Sequence, residues 1–228
     1  MKKLISVLSV MLMLAGSNAF SQGMRLNLYS SYVFDDQVDS YYDQNDYYNG
    51  TINGGYQWGG GFEFMAHPNY GVELMYLRQN TTAPLNYYNN GVKFTNFDLG
   101  INYIMLAGNR YIRKPGGRVE GFGGLMAGVN VTSVKNPTNN TKNDKTFFSW
   151  GFRGGANIWA TETVGIKLQA QILSAVQSVG GGFYFGTGGA GVGVSSMSSI
   201  YQFGLGGGLV FRFPGTQTTS KPAPARVR

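Results

Sequence analysis

Residues 201–213 read YQFGLGGGLVFRF. Every second residue forms one face: Tyr201, Phe203, Leu205, Gly207, Leu209, Phe211 and Phe213. The other face is Gln202, Gly204, Gly206, Gly208, Val210 and Arg212. Period-two alternation is the mark of a strand with two different surroundings. A water-facing surface would carry many Lys and Glu side chains. Here the second face is mostly glycine, with one arginine between two phenylalanines. The two faces therefore look onto an apolar medium and onto a confined polar space.

The bulk composition agrees. Charged residues make up 13% of the 228 residues, about half the usual share of soluble domains. With 35 Gly, 15 Tyr and 15 Phe, the chain does not have a disordered composition. The absence of cysteine excludes a disulfide framework and a thiolate metal site. The opening MKKLISVLSVMLMLAGSNAFSQG has a basic start, an apolar run from Leu4 to Ala15, and small residues at Ala19 and Ser21. It predicts a secretory signal peptide over residues 1–21, because the run is too short to span a bilayer as a helix. Residues 22–213 are expected to form one domain, and residues 214–228 a flexible, basic, Pro-containing tail in the periplasm.

Seven further segments alternate in the same way: Arg25–Tyr32, Tyr56–Ala66, Tyr70–Arg78, Phe94–Met105, Arg118–Val131, Phe147–Trp159 and Val164–Ile172. Each is near the length of a tilted membrane-spanning strand. The connections alternate between long and short, with long ones at Val33–Gly55 and Leu173–Ser199. This predicts an all-β fold: an eight-stranded antiparallel transmembrane β-barrel with periplasmic termini and long extracellular loops. The connection AGNRYIRKPGG, residues 107–117, is longer than a periplasmic turn needs.

Strand parity assigns the charges. Glu63, Glu73, Asp98 and Glu120 fall on the inward faces of strands 2–5, and Arg153, Lys167, Arg212 and Arg25 on those of strands 6, 7, 8 and 1. Buried charges must be paired. Opposed acidic and basic half-cylinders are therefore expected to meet and close the periplasmic half of the bore. Small or neutral residues, among them Gln57, Asn130, Ser149 and Gln171, are expected to leave a wet vestibule in the other half. In the fourth segment the lipid face is read as Phe97, Leu99, Ile101, Tyr103 and Met105. Aromatics fall at both strand ends, as girdles do. One girdle is Tyr32, Trp58, Tyr76, Trp150, Tyr201 and Phe203; the other is Phe64, Tyr70, Tyr103, Phe211 and Phe213.

The export signal, the eight alternating segments and the aromatic-ended GLVFRF resemble the small eight-stranded outer-membrane barrels of the OmpA, OmpX and OmpW kind. The resemblance covers about residues 22–213. It implies a location in the Gram-negative outer membrane, contact with lipid and lipopolysaccharide, and recognition of the last strand by the barrel-assembly machinery. The tail after Phe213 departs from the simplest members of that family.

Little in the chain points to chemistry. The single histidine, His67, lies in a turn, and no nucleophile–base pair or zinc set is expected around it. The protein is read as no enzyme, with no cofactor and no metal. The first loop carries Asp35, Asp36, Asp39, Asp43 and Asp46, a candidate cation or partner loop whose spacing matches no EF-hand. Arg78 and Lys93 have outward parity at the extracellular strand ends and are candidates for lipopolysaccharide phosphates. Nucleic acid is excluded by the compartment. Three functions fit: a structural or surface-interaction barrel with a charge-closed lumen, a narrow channel for small or apolar solutes, and an accessory subunit of an envelope or secretion complex.

Overall fold

The structure, a computed structural model, describes residues 23–41, 47–88, 92–137, 141–176, 182–186, 189–193 and 200–214. The expected signal peptide and nearly all of the tail lie outside the described residues. Eight long strands build the wall: β1 (Met24–Val33), β4 (Gly55–His67), β5 (Tyr70–Tyr88), β6 (Val92–Arg113), β7 (Val119–Lys135), β8 (Lys142–Trp159), β9 (Val164–Val176) and β12 (Ile200–Phe213). Two hairpins lie in the long loops: β2 (Asp36–Tyr41) with β3 (Tyr47–Ile52), and β10 (Gly182–Gly186) with β11 (Gly189–Gly193).

The wall order is β5-β4-β1-β12-β9-β8-β7-β6, and β6 pairs back onto β5, so the barrel is closed. All pairings are antiparallel. Closure removes free edges, which an open sheet in lipid could not hydrogen-bond. The first and last wall strands meet along Met24↔Phe213 to Val33↔Gly204. That seam needs glycine: a Cβ at Gly208 would sit 1.7 Å from the Leu28 carbonyl oxygen.

The turns at one end are tight. Pro68 and Asn69 join β4 to β5, and residues 160–163 join β8 to β9. Residues 114–118 join β6 to β7, with Gly117 N donating to Lys114 O at 2.9 Å and Gly116 at φ 70°. Pro115 followed by a positive-φ glycine fits a type II turn. The over-long connection read from residues 107–117 is thus corrected: Ala107–Arg113 belong to β6, and the turn is short.

At the other end the wall is uneven. β1, β4, β9 and β12 have 10 to 14 residues, whereas β5, β6, β7 and β8 have 19, 22, 17 and 18. A bilayer needs only about 9–11 tilted residues, so β5–β8 continue well beyond it. Residues 79–88, beyond the alternating segment Tyr70–Arg78, continue as strand and pair with β6 as far as Tyr88↔Val92. The β2–β3 hairpin adds to this extension through Tyr48↔Tyr87, Asn49↔Asn86 and Gly50↔Leu85.

The outer wall is greasy around most of its circumference. Leu28, Phe62, Leu74, Leu106, Leu125, Phe152, Leu168 and Leu209 are exposed on it. The inward side is polar: Asn27, Gln57, Glu63, Glu73, Glu120, Arg153, Lys167 and Gln171 are buried. Polar groups inside and apolar groups outside is the reverse of a soluble barrel. Among the described residues, no helix is long and apolar enough to cross a membrane.

Candidate functional site

The bore carries the polar machinery of this protein. At the short-turn end, Arg25 from β1 reaches across to Glu120 of β7 with a two-pronged ion pair, 2.8 and 3.1 Å. Asn157 Nδ2 adds a bond to Glu120 at 3.0 Å. The Arg25 guanidinium lies 4.2 Å from the Tyr111 ring centroid. Fork geometry between arginine and carboxylate is the strong form of such a pair.

One layer deeper, Arg153 of β8 donates Nη2 to Glu73 of β5 in a very close contact, with both side chains fully buried. Arg153 Nη1 donates to Tyr29 Oη at 2.9 Å, and Tyr29 donates onward to Glu73. Asn109 Oδ1 accepts from Arg153 Nε and Nη2 at 3.1 and 2.9 Å. Asn109 Nδ2 donates to Glu63 at 2.7 Å, and Tyr111 Oη also donates to Glu63, at 2.6 Å. Glycine makes the room: a Cβ at Gly61 would lie 2.1 Å from Glu73 Oε1, and one at Gly71 2.3 Å from Glu63 Oε1.

Lys167 is fully buried in the same layer, with Nζ 4.5 Å from the Phe122 ring centroid and 5.6 Å from that of Tyr29. Its ammonium has no hydrogen-bond partner among the described residues. The rings supply cation–π attraction in place of a direct bond.

Above the charges lies an amide layer. Gln171 Nε2 donates to Gln57 Oε1 at 2.6 Å, Gln202 Nε2 to Gln79 Oε1 at 3.0 Å, and Tyr103 Oη to Gln202 Oε1 at 2.8 Å. An apolar core runs beside and above it. Met75, Leu77, Phe97, Leu99, Ile101, Met105, Met126 and Leu173 are all buried in one cluster. The wet vestibule expected in this half is therefore a packed core.

That core corrects three assignments. Phe97, Leu99, Ile101, Tyr103 and Met105 point into the bore, not to lipid. Tyr103 is a fully buried lumen residue and no girdle member. Asp98 is exposed on the outer side of β6 and is no lumen charge. The cause is the length of β6. Its upper part stands clear of the bilayer, where Asn96, Asp98 and Asn102 meet water and the large apolar side chains turn inward. Near the short turns the same outward parity is apolar again, at Ile104, Leu106 and Ile112.

The remaining charges of the expected network are in the bore wall. Arg25, Glu63, Glu73, Glu120, Arg153 and Lys167 are buried. Arg212 differs: its side chain is 26% exposed at the short-turn mouth, 3.6 Å from Glu120 and stacked 3.8 Å from the Trp159 ring centroid. Arg212 thus meets the same carboxylate as Arg25, but from the mouth and at longer range.

Tyr32, Trp58, Phe64, Tyr70, Tyr76, Tyr201, Phe203 and Phe213 are exposed on the outer wall, while Trp150 and Phe211 are half-buried there. Arg78 is half-buried on the outside and donates to Asn80 Oδ1 at 3.2 Å. The Lys93 backbone is in β6, and its side chain lies outside those described. In the first loop, Asp35 accepts from Gly54 N at 2.6 Å and Asp36 from Tyr201 N at 3.0 Å. Both thus tie the hairpin to its neighbours. Burial raises the Asp36 carboxyl above its ordinary range, against the opposing pull of the Tyr201 N–H. The side chains of Asp39, Asp43 and Asp46 lie outside the described residues. His67 is exposed, and its Nδ1 accepts from Asn69 N at 3.2 Å within its turn.

No family model matches the chain, and neither does any curated protein. Solved structures do. The outer membrane protein OprG from Pseudomonas aeruginosa is 13% identical, with 85% of this chain and 97% of that chain covered and a TM-score of 0.57. Neisserial surface protein A is 13% identical, with 82% and 97% covered and a TM-score of 0.49. The likeness to OprG is one of fold. The chain has the fold of a small eight-stranded outer-membrane β-barrel of Gram-negative bacteria.

Proposed function

We propose that this protein is a sealed integral barrel of the outer membrane, with a structural or surface-interaction role and no catalytic chemistry. The observation that carries this reading is the filled bore. From the short turns upward it holds the Arg25–Glu120 pair, the Arg153–Glu73 layer, the glutamine layer and the apolar core, all buried. An eight-stranded barrel is only just wide enough for side chains to fill it. With so many groups interlocked, solute passage requires breaking buried ion pairs. The expected result is no steady ion conductance when the full-length barrel is inserted into planar lipid bilayers. Steady single-channel steps from the unmutated protein would overturn the seal and favour the narrow-channel reading.

The extension of β5–β8 and the β2–β3 hairpin then form the surface-exposed part, with the short turns and both termini in the periplasm. Long loops outside and short turns inside are the rule for such barrels. Protease added to intact cells should cleave in the 36–52 hairpin and leave the Lys221–Arg228 tail uncut. Cleavage of the tail with the hairpin intact would invert this orientation.

A further inference from the structure

We propose that the short-turn mouth of the barrel binds a phosphate-class oxyanion between the guanidinium groups of Arg113 and Arg212. A cavity of about 350 Å³ opens there, lined by Arg25, Asn69, Arg113, Glu120, Arg212 and Phe213 among others. Its charge does not balance. Among the described residues that line it there are three arginines and one carboxylate, an excess of two positive charges. Both oxygens of Glu120 are already bonded, to Arg25 at 2.8 and 3.1 Å and to Asn157 at 3.0 Å. Arg212 is 3.6 Å from Glu120, beyond a good hydrogen bond, and is held in place by stacking on Trp159. Arg113 is anchored through Nε to Gly117 O at 2.9 Å. The terminal amines of both guanidinium groups therefore have no hydrogen-bonded acceptor among the described residues.

Two planar forks opening onto one cavity match the oxygens of a phosphate, which guanidinium binds with two bonds per fork. An excess of two charges fits a dianion better than a single carboxylate. The adjoining β6–β7 turn adds to the field: Lys114 and Arg118 are exposed on it, and Glu162 is the one carboxylate in the short turns among the described residues. Such a field raises the local concentration of anions. The phosphate group has two sources, the free ion and a lipid headgroup.

The test uses the full-length barrel in uncharged maltoside micelles. Of its three tryptophans, Trp58 and Trp150 are changed to Phe, so that emission reports on Trp159 beside Arg212. Inorganic phosphate, added at constant ionic strength, should give a saturable change in emission that acetate does not reproduce. Arg113→Gln should weaken it about tenfold or more, the effect of losing hydrogen bonds to a charged ligand. Arg113 is exposed, and heat-modifiable migration checks that the variant has folded. In a second arm, a short-chain phosphatidic acid replaces the free ion. Saturation by either probe, weakened by Arg113→Gln, supports the site, and the tighter of the two names the source. Absence of saturation with both, or equal titrations for Arg113→Gln and its parent, would overturn it.

Discussion

Arg153→Ala should destabilise the barrel by about 3–5 kcal/mol, the cost of leaving a buried carboxylate without its counter-charge. Arg153 bonds Glu73, Tyr29 and Asn109 at once, and it and Glu73 are fully excluded from solvent. Its loss leaves the Glu73 carboxylate with the buried Lys167, whose ammonium has no direct hydrogen bond among the described residues. The measurement is reversible urea unfolding in lipid vesicles, followed by tryptophan emission. The double variant Arg153→Met with Glu73→Gln should recover most of the loss, since removing both charges removes the desolvation cost as well. Arg212→Ala should cost far less, because Arg212 is partly exposed and Glu120 keeps Arg25. Equal losses for Arg153→Ala and Arg212→Ala would refute the layered account of the bore.

The second large effect belongs to the outer wall. Leu28→Lys should cost about 2–4 kcal/mol in vesicles, the penalty for a cation on the lipid face near the bilayer midplane. Leu28 is 42% exposed and lies between the Tyr32 and Met24 levels of β1, opposite Leu209 of β12. Asn96→Lys makes the contrast. Asn96 is exposed on β6 in the part of the wall above the bilayer, where a surface change stays within about 0.5 kcal/mol. If the two substitutions cost the same, the boundary between lipid-facing and water-facing wall is misplaced.

That boundary is where reading the chain as a string of alternating segments reached its limit. In β1, β4, β9 and β12 one parity is mainly apolar, so the side facing lipid was legible from residues such as Leu26, Phe62, Leu168 and Leu209. In β6 both parities carry large apolar side chains, and the denser one, Phe97 to Met105, points inward. Period-two alternation marks two faces without saying which medium each meets. In a strand longer than the bilayer the medium outside changes along its length.

The charge pairs divide in the same way. Parity alone brought Glu63, Glu73, Glu120, Arg25, Arg153 and Lys167 into the bore, because a side chain's face follows from its position along a strand. Partners did not follow. Arg25 meets Glu120 across the bore, and Arg212, of the same parity, is left at the mouth. That choice depends on stagger between strands far apart in the chain, and on glycines such as Gly61 and Gly71 that let carboxylates in.

What the chain determines by itself is therefore the eight-strand pattern, the short turns after β4 and β8 and, outside β6, the inverted wall, all of which rest on local periodicity and turn chemistry. Only the closed barrel decides where lipid ends along β5–β8, which charges touch, and that the upper bore is packed with apolar side chains. Those outcomes depend on distances between strands that no single segment encodes.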